Sequence, residues 1–352
     1  TDEGITGIGP ATFNPHTYKV LNELGPHVIG EDPLLIRRVW EKLYNITGVP
    51  DAVAAIDVAL WDILGKVANQ SMYRLLGGYQ NRIPVYSGPS LKDPEIVAEE
   101  TRKAVSLGFK AIKLRTGNIW LGLSKNEALK KDLEIVKAAR ENGGDVELGI
   151  DPNSAYDFRT AARMAREFEK YGPIRWLEEP IYTTPNTYAS AHRRLKDIIN
   201  IPLSIGERLS TCYAFENPIF NECCDIIQPD IDHCGGISEA KKIADMAAIR
   251  HISFLPHVAM SGVNLNFVAT VHVIASAPNF LYAEYDPYDN PLRDTELKKP
   301  LKQNNGWVTV PEGPGLGVEF NDDCEFILKH MPEFVSRNIA PSQFAPGQQP
   351  VQ

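Results

Sequence analysis

The chain has 352 residues, a formal net charge of −9 and 43% hydrophobic residues, enough apolar material for a large barrel and a smaller domain. An acidic balance without a basic block argues against a nucleic-acid surface but not against an anionic substrate, since a few local cations override net charge. No apolar run is long enough to span a bilayer and no signal-peptide pattern is present. The five cysteines (Cys212, Cys223, Cys224, Cys234, Cys324) show neither zinc spacing nor a dense disulfide framework, so a reducing compartment, the cytoplasm, is expected.

Residues 1–86 read as helix-rich and short on strands. From Asp51 to Leu76 the pattern predicts a long, largely buried helical region. Val53, Ile56, Leu60, Ile63 and Val67 recur at steps of three and four, Ala59 and Leu64 widen the stripe, and Gly77-Gly78 stops it. After Arg82 short apolar runs alternate with amphipathic helices. The runs are 83–86, 111–115, 146–151, 174–178, 203–207, 225–228, 252–256 and 280–284; helices between them include 94–107, 127–142, 159–171 and 238–250. This alternation implies βαβ units and a parallel sheet, and eight repeats favour closure into a TIM-type (β/α)₈ barrel. After about Asp286 the rhythm breaks into loop or irregular structure, and the tail from Ser336 reads as extended or loosely packed.

In such a barrel the working residues gather at the C-terminal ends of the strands. Asp151, Glu178 and Glu207 close three successive runs. One such acid reads as a surface or helix-capping group. Three converging at the mouth repel one another unless a cation neutralises them, and an all-oxygen set suits Mg²⁺. His257 and Asp230 end adjacent runs. A carboxylate that fixes the imidazole tautomer makes a better general base. Lys113 and Arg115 lie two apart on one strand and so point to the same face, where they would hold a substrate carboxylate and stabilise negative charge. Arg115 is a poor proton carrier, because guanidinium stays protonated. Together these groups describe removal by His257 of a proton next to a carboxylate, with a metal and cations lowering the cost of the doubly charged enediolate.

The ordered motifs are Ala55–Asp62 with Leu75-Leu76-Gly77-Gly78, Lys113-x-Arg115, Asp151-x-Asn153, Trp176-Leu177-Glu178-Glu179-Pro180 and Gly206-Glu207. Gln228-Pro229-Asp230 with Gly235-Gly236, Pro256-His257 and Glu284 complete the set. Over nearly the whole chain this set resembles the enolase superfamily, specifically its mandelate racemase subgroup. The resemblance implies a modified (β/α)₈ barrel of the α/β class, with an α+β cap formed from both ends of the chain. The cap would occupy 1–86, the catalytic barrel 87–288, and a C-terminal segment over 289–352 would complete the cap. It implies Mg²⁺ on Asp151, Glu178 and Glu207, and a His257–Asp230 base. It further implies Glu284 as a protonated hydrogen-bond donor to the substrate carboxylate, and Asn153 and Glu179 supporting the ligands from behind. A homo-oligomer is also implied, as is the superfamily's chemistry, in which a Lys or His base acts with Mg²⁺ on an ene-diolate.

Two departures matter. Racemising members carry Lys-x-Lys, and Arg115 stands at the second lysine. The first capping strand and specificity loop that normally precede the Thr1–Gly9 stretch are expected to be missing. A single strong base favours an acid-sugar dehydratase, in which His257 takes the α-proton and the β-hydroxyl leaves, giving a 2-keto-3-deoxy acid. An epimerase, racemase or cycloisomerase is the alternative on the same fold. A Schiff-base aldolase using Lys113 leaves the three acids unexplained, and a barrel without catalysis would serve binding or assembly. The expected partner is a small sugar-acid substrate, with neither nucleic acid nor membrane.

Overall fold

In the computed structural model, four helices precede the first strand: α1 (Pro15–Val28), α2 (Ile36–Thr47), α3 (Pro50–Ala68) and α4 (Met72–Leu75). The structure describes residues 1–11, 15–88, 93–184, 186–258, 264–288 and 290–321. Cys324, His330 and the tail from Ser336 lie outside the described residues. The single helical region expected over 51–76 is broken into α3 and α4. Asn69 turns left-handed (φ 50°) and its N–H caps the carbonyls of Gly65 and Lys66. Asparagine tolerates that conformation, and the apolar spacing hides the break because Met72, Tyr73 and Leu76 are again buried.

Strands and helices then alternate: β1 (Arg82–Ser87), α5 (Pro94–Ser106), β2 (Ala111–Arg115), α6 (Lys125–Gly143), β3 (Glu147–Asp151), α7 (Phe158–Phe168) and β4 (Ile174–Glu178). The series continues with α8 (Tyr188–Lys196), β5 (Leu203–Ile205), α9 (Thr211–Phe220), β6 (Ile226–Ile227), α10 (Ile231–Cys234), α11 (Ile237–Ile249), β7 (Ser253–Phe254), α12 (Asn264–Ile274) and β8 (Ala283–Tyr285). These eight strands form one parallel sheet in the order β7-β6-β5-β4-β3-β2-β1-β8. Its ends meet where Phe254 bridges Phe280 in parallel and Leu281 N donates to Phe254 O at 2.9 Å. The expected barrel is present, with its eighth strand beginning at Ala283 rather than Phe280.

Beyond β8 the chain forms α13 (Pro291–Glu296) and β9 (Trp307–Thr309), and β9 pairs antiparallel with β1, Ile83 opposite Val308. Reading this stretch as irregular missed both, because such short elements carry almost no periodic signal. Asp62 ties the ends of the chain together. It accepts Ile8 N at 3.1 Å and Leu316 N at 2.8 Å and pairs with Lys66 at 2.7 Å. Helix α3 packs on α10 and α11, where the buried Asp57 accepts Ser238 N (2.9 Å) and Ser238 Oγ (2.6 Å). The helices preceding β1 are thereby fixed over the β6–β7 side of the barrel.

Inside the barrel, Tyr86, Ala111, Trp176, Ile226 and Leu255 form a separate buried cluster. Two residues further along their strands, on the same inward face, stand Lys113, Glu178, Gln228 and His257. The period of two therefore places an apolar floor directly beneath a charged layer.

His272 on α12 supplies a pH prediction. The buried ring accepts Tyr73 N at Nδ1 (3.2 Å) and meets Leu316 O through Nε2 (3.0 Å), an arrangement the neutral imidazole satisfies. Burial pushes its pKa down to about 4, against the pull of Leu316 O and Glu312. An unfolded imidazole titrates near ~6.5, so the unfolded chain binds more protons below that value. Stability from this group is complete above about pH 6.5 and is lost toward pH 4, by roughly 3 kcal/mol. Urea unfolding of wild type and His272→Gln checks this. Between about pH 7 and about pH 4.5 the wild type should lose more stability than the variant, and parallel curves would refute it.

Candidate active site

Asp151 ends β3, Glu178 ends β4 and Glu207 follows β5 by two residues. Asp151 and Glu178 are fully buried and Glu207 is nearly so. The first two are gripped by one oxygen each. Asp151 Oδ1 accepts Asn153 N at 2.8 Å, in a turn where Asn153 and Ser154 both have positive φ (51° and 59°). Glu178 Oε2 accepts Trp176 Nε1 (3.0 Å) and Gln228 Nε2 (2.9 Å), and Gln228 in turn accepts the Ser204 hydroxyl.

Their other oxygens meet cations of the chain. Lys113 Nζ lies 2.9 Å from Glu178 Oε1, 2.8 Å from Glu284 Oε1 and 3.8 Å from Asp151 Oδ2. Arg115 Nη1 pairs with Asp151 Oδ2, and His257 Nε2 stands 3.5 Å from Glu207 Oε2. Consequently, among the described residues no three His, Cys, Asp or Glu side chains are arranged as a ready metal cage. Each of the three acids has a basic side chain beside one of its oxygens.

The charge balance is uneven. Burial raises Glu178, offset in part by Lys113, with Asp151 and Glu284 adding repulsion. Burial likewise lifts Glu207 to about 7, against the pull of His257 and with added repulsion from Glu179, Asp151 and Glu178. Asp151 is lowered: burial opposes its ionisation, but Arg115 and Lys113 prevail. Burial would pull Lys113 down, yet Glu178 and Glu284 hold it well above its ordinary range, so it is an ammonium and not a free-amine nucleophile. Asp151 chiefly keeps Arg115 protonated, against burial.

His257 Nδ1 bonds Asp230 Oδ2 at 2.7 Å, and the two residues form a parallel bridge, as their adjacent strand ends suggested. Asp230 is itself oriented by Asp232 N, which donates to Oδ1 at 2.9 Å. Burial would depress the imidazole, but Glu207, Asp230 and Glu284 outweigh it and raise the ring to about 10. Glu284, expected as a protonated donor to the substrate carboxylate, stands here between Lys113 and His257. Despite burial, Lys113 and His257 lower its pKa and hold it ionised, while Oε2 accepts Val258 N at 3.0 Å.

Asn153 and Glu179 are drawn together by Arg208, which sequence reading missed. Arg208 Nε donates to Glu179 Oε2 at 3.0 Å and Nη2 to Asn153 Oδ1 at 3.3 Å. Glu179 holds positive φ (30°), a strained backbone, and also accepts Gly206 N (3.0 Å) and the Tyr188 hydroxyl. Tyr86, Trp176, Ser204 and Gln228 were missed as well. Their inward register beside the charged residues was the available signal.

Comparison with known proteins settles the lineage. Residues 1–77 match the family model for the mandelate racemase/muconate lactonizing enzyme N-terminal domain, and residues 96–324 match the enolase C-terminal domain-like model. This chain belongs to the enolase superfamily, in its mandelate racemase subgroup. Within that subgroup it is 34% identical to an arabinonate dehydratase of Saccharolobus solfataricus, covering 85% of this chain and 79% of that one. It is 33% identical to a D-galactarolactone cycloisomerase of Agrobacterium fabrum, covering 92% and 88%. Among solved structures, the 3,6-anhydro-D-galactonate cycloisomerase of Zobellia galactanivorans superposes with a TM-score of 0.83 at 32% identity, covering 94% of this chain and 91% of that one. Among the described residues no helix of this superfamily member is long and apolar enough to cross a membrane, and Cys212, Cys223, Cys224 and Cys234 are free.

Proposed function

We propose that this protein is a Mg²⁺-dependent hydro-lyase that dehydrates a sugar acid, an aldonate or aldarate, to a 2-keto-3-deoxy acid. The observation that carries the reading is the His257–Asp230 pair facing a ring of buried carboxylates, the buried Lys113 and the part-buried Arg115 at the strand ends. The dehydratase names among its relatives support the substrate class.

The donor set fits Mg²⁺. It is all oxygen, and two of its acids are already anchored through one oxygen with the other turned inward. Charge fits too. With His257 neutral, as a base must be, the five carboxylates of Asp151, Glu178, Glu207, Asp230 and Glu284 face only the cations Lys113 and Arg115, an excess of three negative charges that a divalent ion would largely offset. Asp151, Glu178 and Glu207 would hold the ion, which when bound supplies Lewis-acid stabilisation of charge on the substrate carboxylate.

The residues then divide the work. Asp230 fixes the imidazole through Nδ1; Glu207, whose charge chiefly keeps the ring protonated against burial, loses that hold once its charge is offset by the cation it would bind, leaving Nε2 of His257 to take the α-proton. Lys113 and Arg115 bind the carboxylate and offset the charge that develops, and Glu284 keeps Lys113 placed. Asn153 and Glu179, joined by Arg208, hold the turns that carry Asp151 and Glu207. His257 returns its proton to the departing β-hydroxyl, and the enol product becomes the keto acid, so one water leaves and no redox partner is needed. An even-numbered homo-oligomer in the cytoplasm belongs to the same proposal.

Two cycloisomerase relatives, one named for a lactone and one for an anhydro sugar acid, favour one second reading, ring closure or opening of a cyclic sugar-acid derivative by the same base. Incubating the protein with Mg²⁺ and a panel of aldonic and aldaric acids separates the two. Formation of α-keto acid that chelation abolishes is the expected result. Lactone interconversion without keto acid would replace the first reading by the second.

A further inference from the structure

At the floor of this site the buried Tyr86 hydroxyl makes no hydrogen bond of good geometry, and the Glu284 carboxylate near it is already engaged by Lys113 through Oε1. Their residues stand opposite each other in the β1–β8 register, so both side chains project into the barrel. Tyr86 is 0% exposed. Its ring packs edge-on against Trp176, with centroids 5.2 Å apart, and Lys113 Nζ lies 5.9 Å from its centroid. Lys113 approaches Glu284 Oε1 to 2.8 Å as an ion pair.

The phenol faces the Glu284 carboxylate, which Lys113 already engages, without a hydrogen bond of good geometry; such a buried hydroxyl is costly, and phenylalanine would serve equally for packing. Burial, then the Glu284 carboxylate, pushes the phenol well above its ordinary range, so at neutral pH it is a donor and never a phenolate. It thus offers an O–H beside the Lys113 ammonium without adding charge. An oxygen whose negative charge grows during reaction gains most from such a fixed dipole.

We propose that Tyr86 is a further catalytic residue, whose hydroxyl donates to the substrate carboxylate oxygen that also faces Lys113 and on which charge builds as the α-proton leaves. This rests on the proton abstraction proposed above and adds a role that the metal ligands and the His257–Asp230 pair do not cover.

The test uses the full chain with Mg²⁺ and the variant Tyr86→Phe. Deuterium entry at the α-carbon of an aldonate reports proton abstraction, and oxalate, a planar dianion resembling an enediolate, reports anion binding. Both should weaken about ten- to a hundredfold in the variant. Mg²⁺ affinity without oxalate should not change, and the thermal midpoint should hold or rise, because the hydroxyl removed is a buried polar group without a good partner. Wild-type kinetics and oxalate affinity in Tyr86→Phe overturn the proposal, as does a loss matched by a fall in thermal midpoint or Mg²⁺ affinity, which would mark a packing role. If the wild type exchanges no α-proton with any sugar acid, the proposed function fails separately, and oxalate affinity still decides whether Tyr86 is an anion donor.

Discussion

Replacing His257 by asparagine is expected to lower α-proton exchange and keto-acid formation by about 10³- to 10⁴-fold, the range ascribed to a well-placed general base. Other basic side chains of the site offer no substitute. Asp151 holds Arg115 protonated, and Glu178 and Glu284 do the same for Lys113. The fold should survive, because the imidazole lies at the barrel mouth and Asp230 keeps its bond from Asp232 N. Divalent-cation binding should survive too, or tighten, since the imidazole no longer pairs with Glu207 Oε2 at 3.5 Å. Solvent-deuterium exchange and calorimetric Mg²⁺ titration on one preparation make the check. A variant that keeps a tenth of wild-type exchange would remove His257 from the reaction. Parallel loss of cation binding would turn it into a structural residue.

The barrel was legible because its strands announce themselves one by one, and a strand's last inward residue can be read from the period of two. That reasoning led to Asp151, Glu178, Asp230, His257 and Glu284 without coordinates. It could not say which oxygen meets which cation. Arg115 pairs with Asp151 and Lys113 spans Glu178 and Glu284, and those choices depend on tenths of an ångström across the barrel. The lowered pKa of Glu284 follows from the same pairing. The floor escaped for a different reason. Tyr86, Trp176 and Gln228 look like ordinary strand residues, and only register shows that they stand under the charged layer. Arg208 was visible beside Glu207, but its link to Glu179 and Asn153 crosses three strand ends. The break at Asn69 was hidden because one left-handed residue leaves the apolar rhythm intact.

Gly149→Ala should damage fold and site together, and the reason lies in that floor. A Cβ at position 149 would fall 2.1 Å from Trp176 Cε2 and Cζ2, far inside contact distance. Trp176 has no open side to move toward, being fully buried with Tyr86 edge-on at 5.2 Å. Overpacking of this kind costs about 1–3 kcal/mol in typical cores, and a closed barrel interior belongs at the upper end, roughly 3 kcal/mol. Any shift of the indole also withdraws its N–H from Glu178 Oε2, now 3.0 Å away, and leaves Gln228 alone to aim that carboxylate. Mg²⁺ affinity should consequently fall at least about tenfold, the scale on which partners of metal ligands act. Adding Trp176→Phe to Gly149→Ala separates the two effects. The smaller ring relieves the clash and should restore the unfolding midpoint, whereas cation affinity should stay low because phenylalanine has no N–H to give. Full recovery of both would show that Glu178 needs no hold from the indole, and an undisturbed single variant would place the Trp176 indole elsewhere than over Gly149 on the neighbouring strand.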